Sequence, residues 1–195
     1  MPRPRTFDED DVVRAARDAF WRGGYAGTSL DDLTTATGLG KGSLYGAFGD
    51  KHTLFIRTLD GYCETAIETV RGQLRGPVEG AYERLVSGMR AIAVSNTADT
   101  ELRGCLMAKS AAELAASDAQ VREKVATTLT AMHAELAQTI ADAQREGTIA
   151  AHADAHGLAS LVLAVLRGIE ALHKSSLDAE IIVGAADQAI ALLPR

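Results

Sequence analysis

Hydroxyl-bearing and cationic side chains recur between residues 28 and 51, with glycines interspersed among them. Hydroxyl groups, lysine ammonium groups and the free backbone N–H groups at a helix start all bind phosphate oxygens. A lysine can also donate to the O6 and N7 atoms of guanine. The side chains of this set are Thr28, Ser29, Lys41, Ser43, Tyr45 and Lys51. Their types favour contact with a nucleic acid over catalysis.

The glycine-rich segment 38–43 has a second possible chemistry, that of a nucleotide-binding phosphate loop. That loop follows a strand and reads GxxxxGK[ST], whereas here position 35 is Thr and Lys41 precedes Gly42. An enzyme would also need a convergent acid, base or nucleophile set, and the sequence shows none. His152 and His156 have a spacing that suits a metal, but they lie in an alanine-rich stretch. We therefore expect no enzyme activity, no cofactor and no metal.

Helix start and stop signals place these side chains on short helices. Thr6 and Glu9 form a capping-box pattern that predicts a first helix over about 7–22, ended by Gly23 and Gly24. Ser29 is a good N-cap for a second helix that Gly38 ends, and a third helix over about 41–48 follows. Two short helices joined by a glycine turn predict a helix-turn-helix.

The rest of the chain has longer amphipathic segments. A fourth helix, capped by Asp50, runs from 51 to the glycines at 72 and 76. Helical spacing of apolar residues then predicts five more helices, at about 78–94, 104–116, 117–146, 154–174 and 177–193. The expected fold is all-α with about nine helices. We expect a three-helix head at 1–50, joined through the fourth helix to a helical body at 51–195.

The charge of the chain is acidic overall, which is unusual for a protein that binds nucleic acid. The net charge is −6, and residues 1–60 hold 8 Lys or Arg against 9 Asp or Glu, whereas 61–195 hold 12 against 17. The acidity therefore belongs mainly to the body. A basic footprint would have to come from clustering of Lys41 and Lys51 with Arg3 and Arg5 on one face.

No targeting or spanning segment is apparent in the sequence. Charged residues interrupt every apolar run before it reaches about 18 residues, and the N-terminal arginines lead into acidic residues. The two cysteines, Cys63 and Cys105, are too few for a disulfide framework. We expect a cytoplasmic protein with no membrane contact.

The head resembles the TetR family of bacterial transcriptional regulators in the order and spacing of its residues. The resemblance rests on Gly24-Tyr25, Thr28-Ser29, Asp32-Leu33, Ala36, Gly38-Leu39, Lys41-Gly42-Ser43-Leu44-Tyr45, Phe48 and Lys51. It implies that double-stranded operator DNA is a partner. The DNA-binding residues implied are Arg5, Thr28, Ser29, Lys41, Gly42, Ser43, Tyr45 and Lys51. The third helix would enter the major groove, with Lys41 reading a guanine.

The third helix departs from the family pattern after Tyr45, where Gly46 and Ala47 replace bulkier residues. The glycine weakens the helix by about 1 kcal/mol, and the two positions offer fewer contacts to DNA. The resemblance also implies a palindromic operator, a homodimer through the eighth and ninth helices, and repression relieved by a small-molecule inducer. The inducer is expected to move the fourth helix and so change the separation of the two heads.

The body is expected to hold the inducer in a pocket between its helices. Residues that combine flexible apolar groups with a few polar ones are the candidates for its lining. They are Tyr62, Tyr82, Met89, Cys105, Met107, Met132, His133 and Leu166. Core packing explains most of this set equally well.

Cys105 suggests an alternative signal. It lies in Arg103-Gly104-Cys105 at the predicted start of the sixth helix, where the helix dipole and Arg103 would favour a reactive thiolate. The chain would then be a repressor that senses oxidants or electrophiles. A cysteine that is simply buried is the competing interpretation.

Overall fold

A computed structural model describes residues 7–195, and within that range all regular secondary structure is α-helical. Nine helices follow one another in this part of the chain: α1 (Glu9–Gly27), α2 (Leu30–Thr37), α3 (Lys41–Phe48), α4 (Lys51–Leu74), α5 (Ala81–Thr97), α6 (Leu106–Leu114), α7 (Ala119–Glu146), α8 (Ala155–Lys174) and α9 (Ala179–Ala191). The predicted all-α fold with a helix-turn-helix near the N-terminus is confirmed.

The helices are distributed over two compact units. Unit 1 takes in the described part of Met1–Glu64 together with Leu106–Val125, and unit 2 consists of Thr65–Cys105 and Ala126–Arg195. Two helices, α4 and α7, are therefore shared between the units. A division into a DNA-binding part at 1–50 and a ligand-binding part at 51–195 remains a prediction about roles.

The core of unit 1 is built by the apolar faces of α1 to α4. Phe20 is completely buried, and its ring meets Phe55 edge to face at a centroid distance of 5.1 Å. Leu33, Leu44 and Phe48 are buried beside them, as their helical spacing predicted. Each such side chain contributes about 1.5–3 kcal/mol when it leaves water. This core holds α2 and α3 in place.

The first helix differs from its prediction at both ends. Its N-cap is Asp8, whose carboxylate accepts the N–H groups of Asp10 and Asp11, whereas Thr6 lies outside the described residues. The helix also resumes after Gly24, which has φ 76° and ψ 176°, and continues to Gly27. The glycine therefore breaks the helix without ending it.

The core of unit 2 lies chiefly between α5, α8 and α9, with α7 adding Leu136 and Ile140. The side chains of α8 that face this core recur every three or four residues, as expected for an amphipathic helix. They are Ala159, Val162, Leu166, Ile169 and His173. The opposite faces of α8 and α9 leave Leu161, Leu172 and Ile181 exposed.

Among the described helices, α8 alone is long and apolar enough to cross a membrane, judged by length and composition. A core helix in a water-soluble protein meets the same criterion. Arg167 and Glu170 lie within α8, and one of its faces is packed in the core of unit 2. We therefore treat α8 as a packing helix.

Candidate nucleic-acid interface

The turn between α2 and α3 is fixed by local hydrogen bonds and one glycine. The Ser29 hydroxyl accepts the N–H of Asp32 at 3.1 Å, and the Asp32 carboxylate accepts the N–H of Ser29 at 2.8 Å. Gly38 ends α2 with φ 68°, a left-handed conformation that favours glycine. The helix-turn-helix geometry thus follows directly from residues within the segment.

One face of α3 is buried and the other is open. Leu44 and Phe48 point into the core of unit 1, whereas Lys41, Gly42, Ser43 and Tyr45 are exposed. Tyr45 exposes 49% of its surface, although it is a large aromatic residue. A Cβ atom built on Gly42 would meet nothing within 4 Å, so the surface here is unobstructed. The four residues predicted to meet DNA from this helix therefore share a solvent-facing side.

Lys41 has a carboxylate partner on the preceding helix. Its Nζ lies 2.6 Å from Oδ1 of Asp31, and both side chains are well exposed. The hydrogen bond to Asp31 raises the pKa of Lys41, so the ammonium group remains charged. Binding to a base edge or a phosphate would require Lys41 to exchange this partner. No local sequence pattern marks Asp31, because its pairing with a residue ten positions away is set by the turn.

Lys51 begins α4 and lies over an aromatic ring. Its Nζ is 4.4 Å from the centre of the Tyr25 ring, a cation–π distance. The cap of this helix is Asp50, whose carboxylate accepts the N–H of Thr53 at 2.7 Å, and this bond lowers the pKa of Asp50. Burial, with a smaller contribution from Asp50, raises the pKa of Tyr25. Tyr25 therefore stays a neutral support for the Lys51 ammonium group.

Two predicted phosphate ligands have structural partners instead. The Thr28 hydroxyl is buried, with 3% of the residue exposed, and donates to the carbonyl of Gly24 at 2.6 Å. The Ser29 hydroxyl donates to the Asp32 carboxylate at 2.6 Å. We reassign Thr28 to holding the α1–α2 junction, because its oxygen is not accessible. Ser29 is exposed and stays a candidate. Arg5 lies outside the described residues.

Unit 2 contains a small, mostly apolar cavity of about 30 Å³. A cavity of this size can hold a water molecule. Three of the residues predicted to line an inducer pocket, Met89, Met132 and Leu166, line this cavity. Gln73 and Arg167 are the polar residues of the lining, and the prediction missed both. Since α4 and α8 bring them together from distant parts of the chain, no local pattern announced them.

The other predicted lining residues lie elsewhere. Tyr62 and Met107 belong to unit 1, where the Tyr62 ring meets Trp21 edge to face. Tyr82 is buried in the core of unit 2, and its hydroxyl accepts a hydrogen bond from Arg195. His133 Nε2 lies 3.1 Å from both the carbonyl of His156 and the hydroxyl of Ser160. None of these four residues lines the cavity.

Cys105 immediately precedes α6, at the edge of unit 2. Its Sγ accepts a hydrogen bond from Nη1 of Arg167 at 3.7 Å, and the same nitrogen lies 3.0 Å from Oε2 of Glu170. Burial raises the pKa of Glu170. The expected cationic neighbour, Arg103, instead pairs with Asp99 and Glu101. Two ionisable neighbours of the thiol, Arg167 and Glu170, belong to α8.

Comparisons with known proteins cover nearly the whole chain. Residues 12–58 match the family model described as bacterial regulatory proteins, tetR family, and residues 81–188 match the one described as tetracyclin repressor-like, C-terminal domain. The HTH-type transcriptional repressor ComR of Escherichia coli (strain K12) is 29% identical over 197 aligned positions, which cover 99% of this chain and 92% of ComR.

Solved structures agree with these matches. The TetR family transcriptional regulator CifR, as a cysteine mutant complexed with 26-bp double-strand operator DNA, is 31% identical with a TM-score of 0.80, covering 98% of this chain and 100% of CifR. A TetR regulator from Chloroflexus aurantiacus J-10-FL is 25% identical with a TM-score of 0.83, covering 93% and 91%. With two family models matched and the helix-turn-helix in place, the chain belongs to the TetR family of bacterial transcriptional regulators.

Proposed function

We propose that the chain is a ligand-responsive repressor that binds a palindromic operator as a homodimer and is released by a small molecule. The observation that carries the DNA-binding part is the exposed face of α3, where Lys41, Ser43 and Tyr45 stand free of the core that Leu44 and Phe48 anchor. CifR, a relative over its full length, was solved with operator DNA.

Each residue proposed to contact DNA has a distinct role. Lys41 donates to a guanine from the N-terminal end of α3, and Gly42 lets the backbone approach the base edges. Tyr45 gives its hydroxyl to a phosphate, and Lys51 neutralises a phosphate from the first turn of α4. Ser29, at the N-terminus of α2, binds a phosphate, and Arg5 is assigned to an adjacent minor groove.

Fluorescence anisotropy with a labelled upstream segment of the chain's own gene tests this assignment at defined salt. Tyr45→Ala and Lys51→Ala are expected to weaken binding while sedimentation still gives the wild-type assembly. Arg145→Ala is a charge-matched control, because this exposed side chain of α7 contacts a neighbour within its own helix. Unchanged affinity in both head variants would refute the proposal.

The homodimer is proposed to form through α8 and α9. Their exposed apolar residues Leu161, Leu172 and Ile181 provide the apolar surface that a stable symmetric interface needs. A dimer also places two recognition helices one helical turn of DNA apart, about 34–36 Å. Leu161→Glu with Ile181→Glu is expected to give monomers by analytical ultracentrifugation. A wild-type chain that is monomeric at micromolar concentration would contradict the dimer.

The inducer is proposed to enter the cavity of unit 2 and to be mainly hydrocarbon with one hydrogen-bond acceptor. The lining is apolar apart from Gln73 and Arg167, and the charge of Arg167 is balanced by Glu170. The buried Nε of Arg167 makes no hydrogen bond within the described residues, so it can receive the acceptor. Met89 and Met132 are flexible and can enlarge the space. Because α4 runs from Lys51 to the cavity residue Leu74, the ligand would act on the head through this helix.

Thermal unfolding with 2-decanone and with decanoate as probes tests this ligand class. The neutral ketone is expected to raise the midpoint of thermal unfolding more than the carboxylate, and Arg167→Met is expected to reduce the shift with the ketone because the Nε donor is lost. A larger shift of the unfolding midpoint with decanoate, or no shift with either probe, would contradict the proposed ligand class. We place this regulation in the cytoplasm, where the chromosomal operator would be.

A thiol-sensing repressor is the second candidate, and the contact between Arg167 and the Cys105 sulfur favours it. Cationic neighbours are common around reactive cysteines, which lie in electropositive surroundings. Iodoacetamide is expected to modify Cys105 faster than the buried Cys63 and to lower operator affinity. Operator binding that is unchanged after complete modification of Cys105 would eliminate this candidate.

A further inference from the structure

Two side chains of α6 contact the break in α1. Lys109 Nζ donates to the carbonyls of Trp21 and Arg22, at 2.8 and 2.7 Å. The Glu113 carboxylate accepts the N–H groups of Tyr25 and Ala26, at 2.9 and 2.6 Å. Since Lys109 and Glu113 are four residues apart, they share one face of α6. We name this pair the α6 clamp.

The α6 clamp replaces the hydrogen bonds that a continuous helix would make. In an unbroken α-helix the N–H groups of Tyr25 and Ala26 bond to the carbonyls of Trp21 and Arg22. Gly24 interrupts the helix between them, and the same four backbone groups are instead bonded by a cation and an anion from α6. The charges of these two side chains match the helix dipole, since the lysine ammonium group contacts carbonyls and the glutamate carboxylate contacts N–H groups.

Tyr25 connects the α6 clamp to the DNA-facing surface. Glu113 holds its backbone, and its ring lies 4.4 Å from the ammonium group of Lys51. The ring also meets His52 edge to face at 6.1 Å, and His52 Nε2 lies 2.6 Å from the carboxylate of Asp118. The ring beside Lys51 is therefore itself bordered by His52, and Glu113 of α6 and Asp118 of the following turn bond to Tyr25 and His52 respectively.

We propose that Glu113 and Lys109 are positioning residues for the phosphate contact of Lys51, and that they act through Tyr25. This inference rests on the proposed role of Lys51. Neither residue of the clamp touches DNA in this arrangement. The clamp fixes where the Tyr25 ring lies, and the ring limits the directions in which the long, flexible lysine side chain can point. Operator affinity is then set partly by a helix outside the helix-turn-helix.

The salt dependence of operator binding separates positioning from simple destabilisation. Each phosphate neutralised by a lysine contributes about 0.9 to the slope of log K against log salt. A variant that is only destabilised has fewer folded molecules and a lower apparent operator affinity. Its folded molecules still make every phosphate contact, so the slope is unchanged. Loss of the Lys51 contact lowers the slope by about 1 for each head. The slope of log K against log salt thus reports whether Lys51 still contacts a phosphate.

The experiment measures operator affinity by anisotropy between about 50 and 200 mM salt, the range over which phosphate contacts change affinity strongly. The variants are Lys51→Met, Glu113→Gln and the double variant. Glu123→Gln, an exposed site on α7, matches the charge change of Glu113→Gln. Lys109→Arg, which can still donate to two carbonyls, is compared with Lys109→Met, which cannot. Hydrogen exchange at the amides of Tyr25 and Ala26 reports the clamp directly.

Glu113→Gln and Lys109→Met are expected to lower the slope towards that of Lys51→Met, with faster exchange at both amides. Lys109→Arg is expected to retain the wild-type slope, and Glu113→Gln is expected to add nothing in the Lys51→Met background. A slope that falls in Lys51→Met but not in Glu113→Gln or Lys109→Met overturns the positioning role alone. A slope unchanged in Lys51→Met overturns the Lys51 contact and the inference together.

Discussion

The ammonium group of Lys41 is bonded to the carboxylate of Asp31 across the helix-turn-helix, at a distance of 2.6 Å. The lysine proposed to read a base therefore already has an anionic partner on α2. A guanine or a phosphate must compete with this carboxylate. Any DNA can offer a phosphate, whereas only some sequences offer a guanine edge in the right place. The pair is thus placed to weaken binding to DNA in general.

Replacing Asp31 by Asn is expected to strengthen binding to both operator and unrelated DNA. An exposed ion pair contributes about 0–1 kcal/mol, so the gain is at most about fivefold for each head. The ratio of operator to unrelated affinity is expected to fall, because Lys41 becomes available to any phosphate. Anisotropy titrations with both duplexes measure it, and Asp10→Asn in α1 supplies the same charge change at another exposed site. Equal gains in the two variants would mean that only net charge matters.

Tyr45→Phe tests the hydroxyl of the most exposed aromatic side chain of the head. The ring stays, so the variant removes a hydrogen bond to phosphate and little else. The expected loss is about 1.5 kcal/mol for each head, roughly tenfold, since the acceptor is charged. The salt slope is expected to stay unchanged, because no cation is lost. Tyr82→Phe is the matched control, since that hydroxyl is bonded to Arg195 in unit 2. A loss of equal size in the control would point to folding rather than contact.

Local sequence signals were sufficient for the helix-turn-helix and insufficient for its supports. Ser29, Gly38 and Gly49 set the bounds of α2 and α3, and the predicted third helix agrees with the structure at both ends. The continuation of α1 beyond Gly24 depends instead on Lys109 and Glu113, which lie more than eighty residues away along the chain. The local sequence contains Gly24, which breaks the helix, but not Lys109 and Glu113, which bond to the backbone groups at the break.

The same limit applies to the candidate sites in the body. Burial of Met89, Met132 and Leu166 follows from helical spacing, and they line the cavity. The partners that give the cavity and Cys105 their chemistry are Arg167 and Glu170, and neither belongs to a recognisable motif. Their importance arises because α8 brings them to residues from other helices. Contacts between residues of different helices depend on packing and cannot be predicted from the spacing of residues in the sequence.

Gly24→Ala is expected to destabilise unit 1. A residue other than glycine at φ 76° and ψ 176° costs about 1–3 kcal/mol, and the new Cβ would lie 2.8 Å from Oε2 of Glu113. Urea unfolding followed by the fluorescence of Trp21, the single tryptophan of the chain, measures the loss. Gly27→Ala is the control, because a Cβ there meets nothing within 4 Å. In a Glu113→Ala background the steric part of the loss is expected to disappear, leaving the backbone strain; a loss that is not reduced there would contradict the close approach.

The contact between His52 and Asp118 predicts a pH-dependent contribution to stability. The hydrogen bond from His52 lowers the pKa of Asp118 relative to its unfolded value, which is about 3.9. A lowered folded pKa means that the stabilisation is present above about pH 4 and is lost as the pH falls through the folded pKa. Asp118→Asn keeps a good N-cap for α7, where Asp118 accepts the N–H groups of Gln120 and Val121, but removes the charge.

Urea unfolding of Asp118→Asn against the wild type, from pH 7 down to the lowest pH at which both fold, measures this contribution. The wild type is expected to be more stable above about pH 4, with the difference shrinking below that pH as Asp118 becomes protonated. Asp118→Ala removes the cap as well, so it is expected to cost about 1 kcal/mol more at every pH. If the Asn variant differs from the wild type equally at all pH values, the ionised carboxylate is not what holds His52 beside Tyr25.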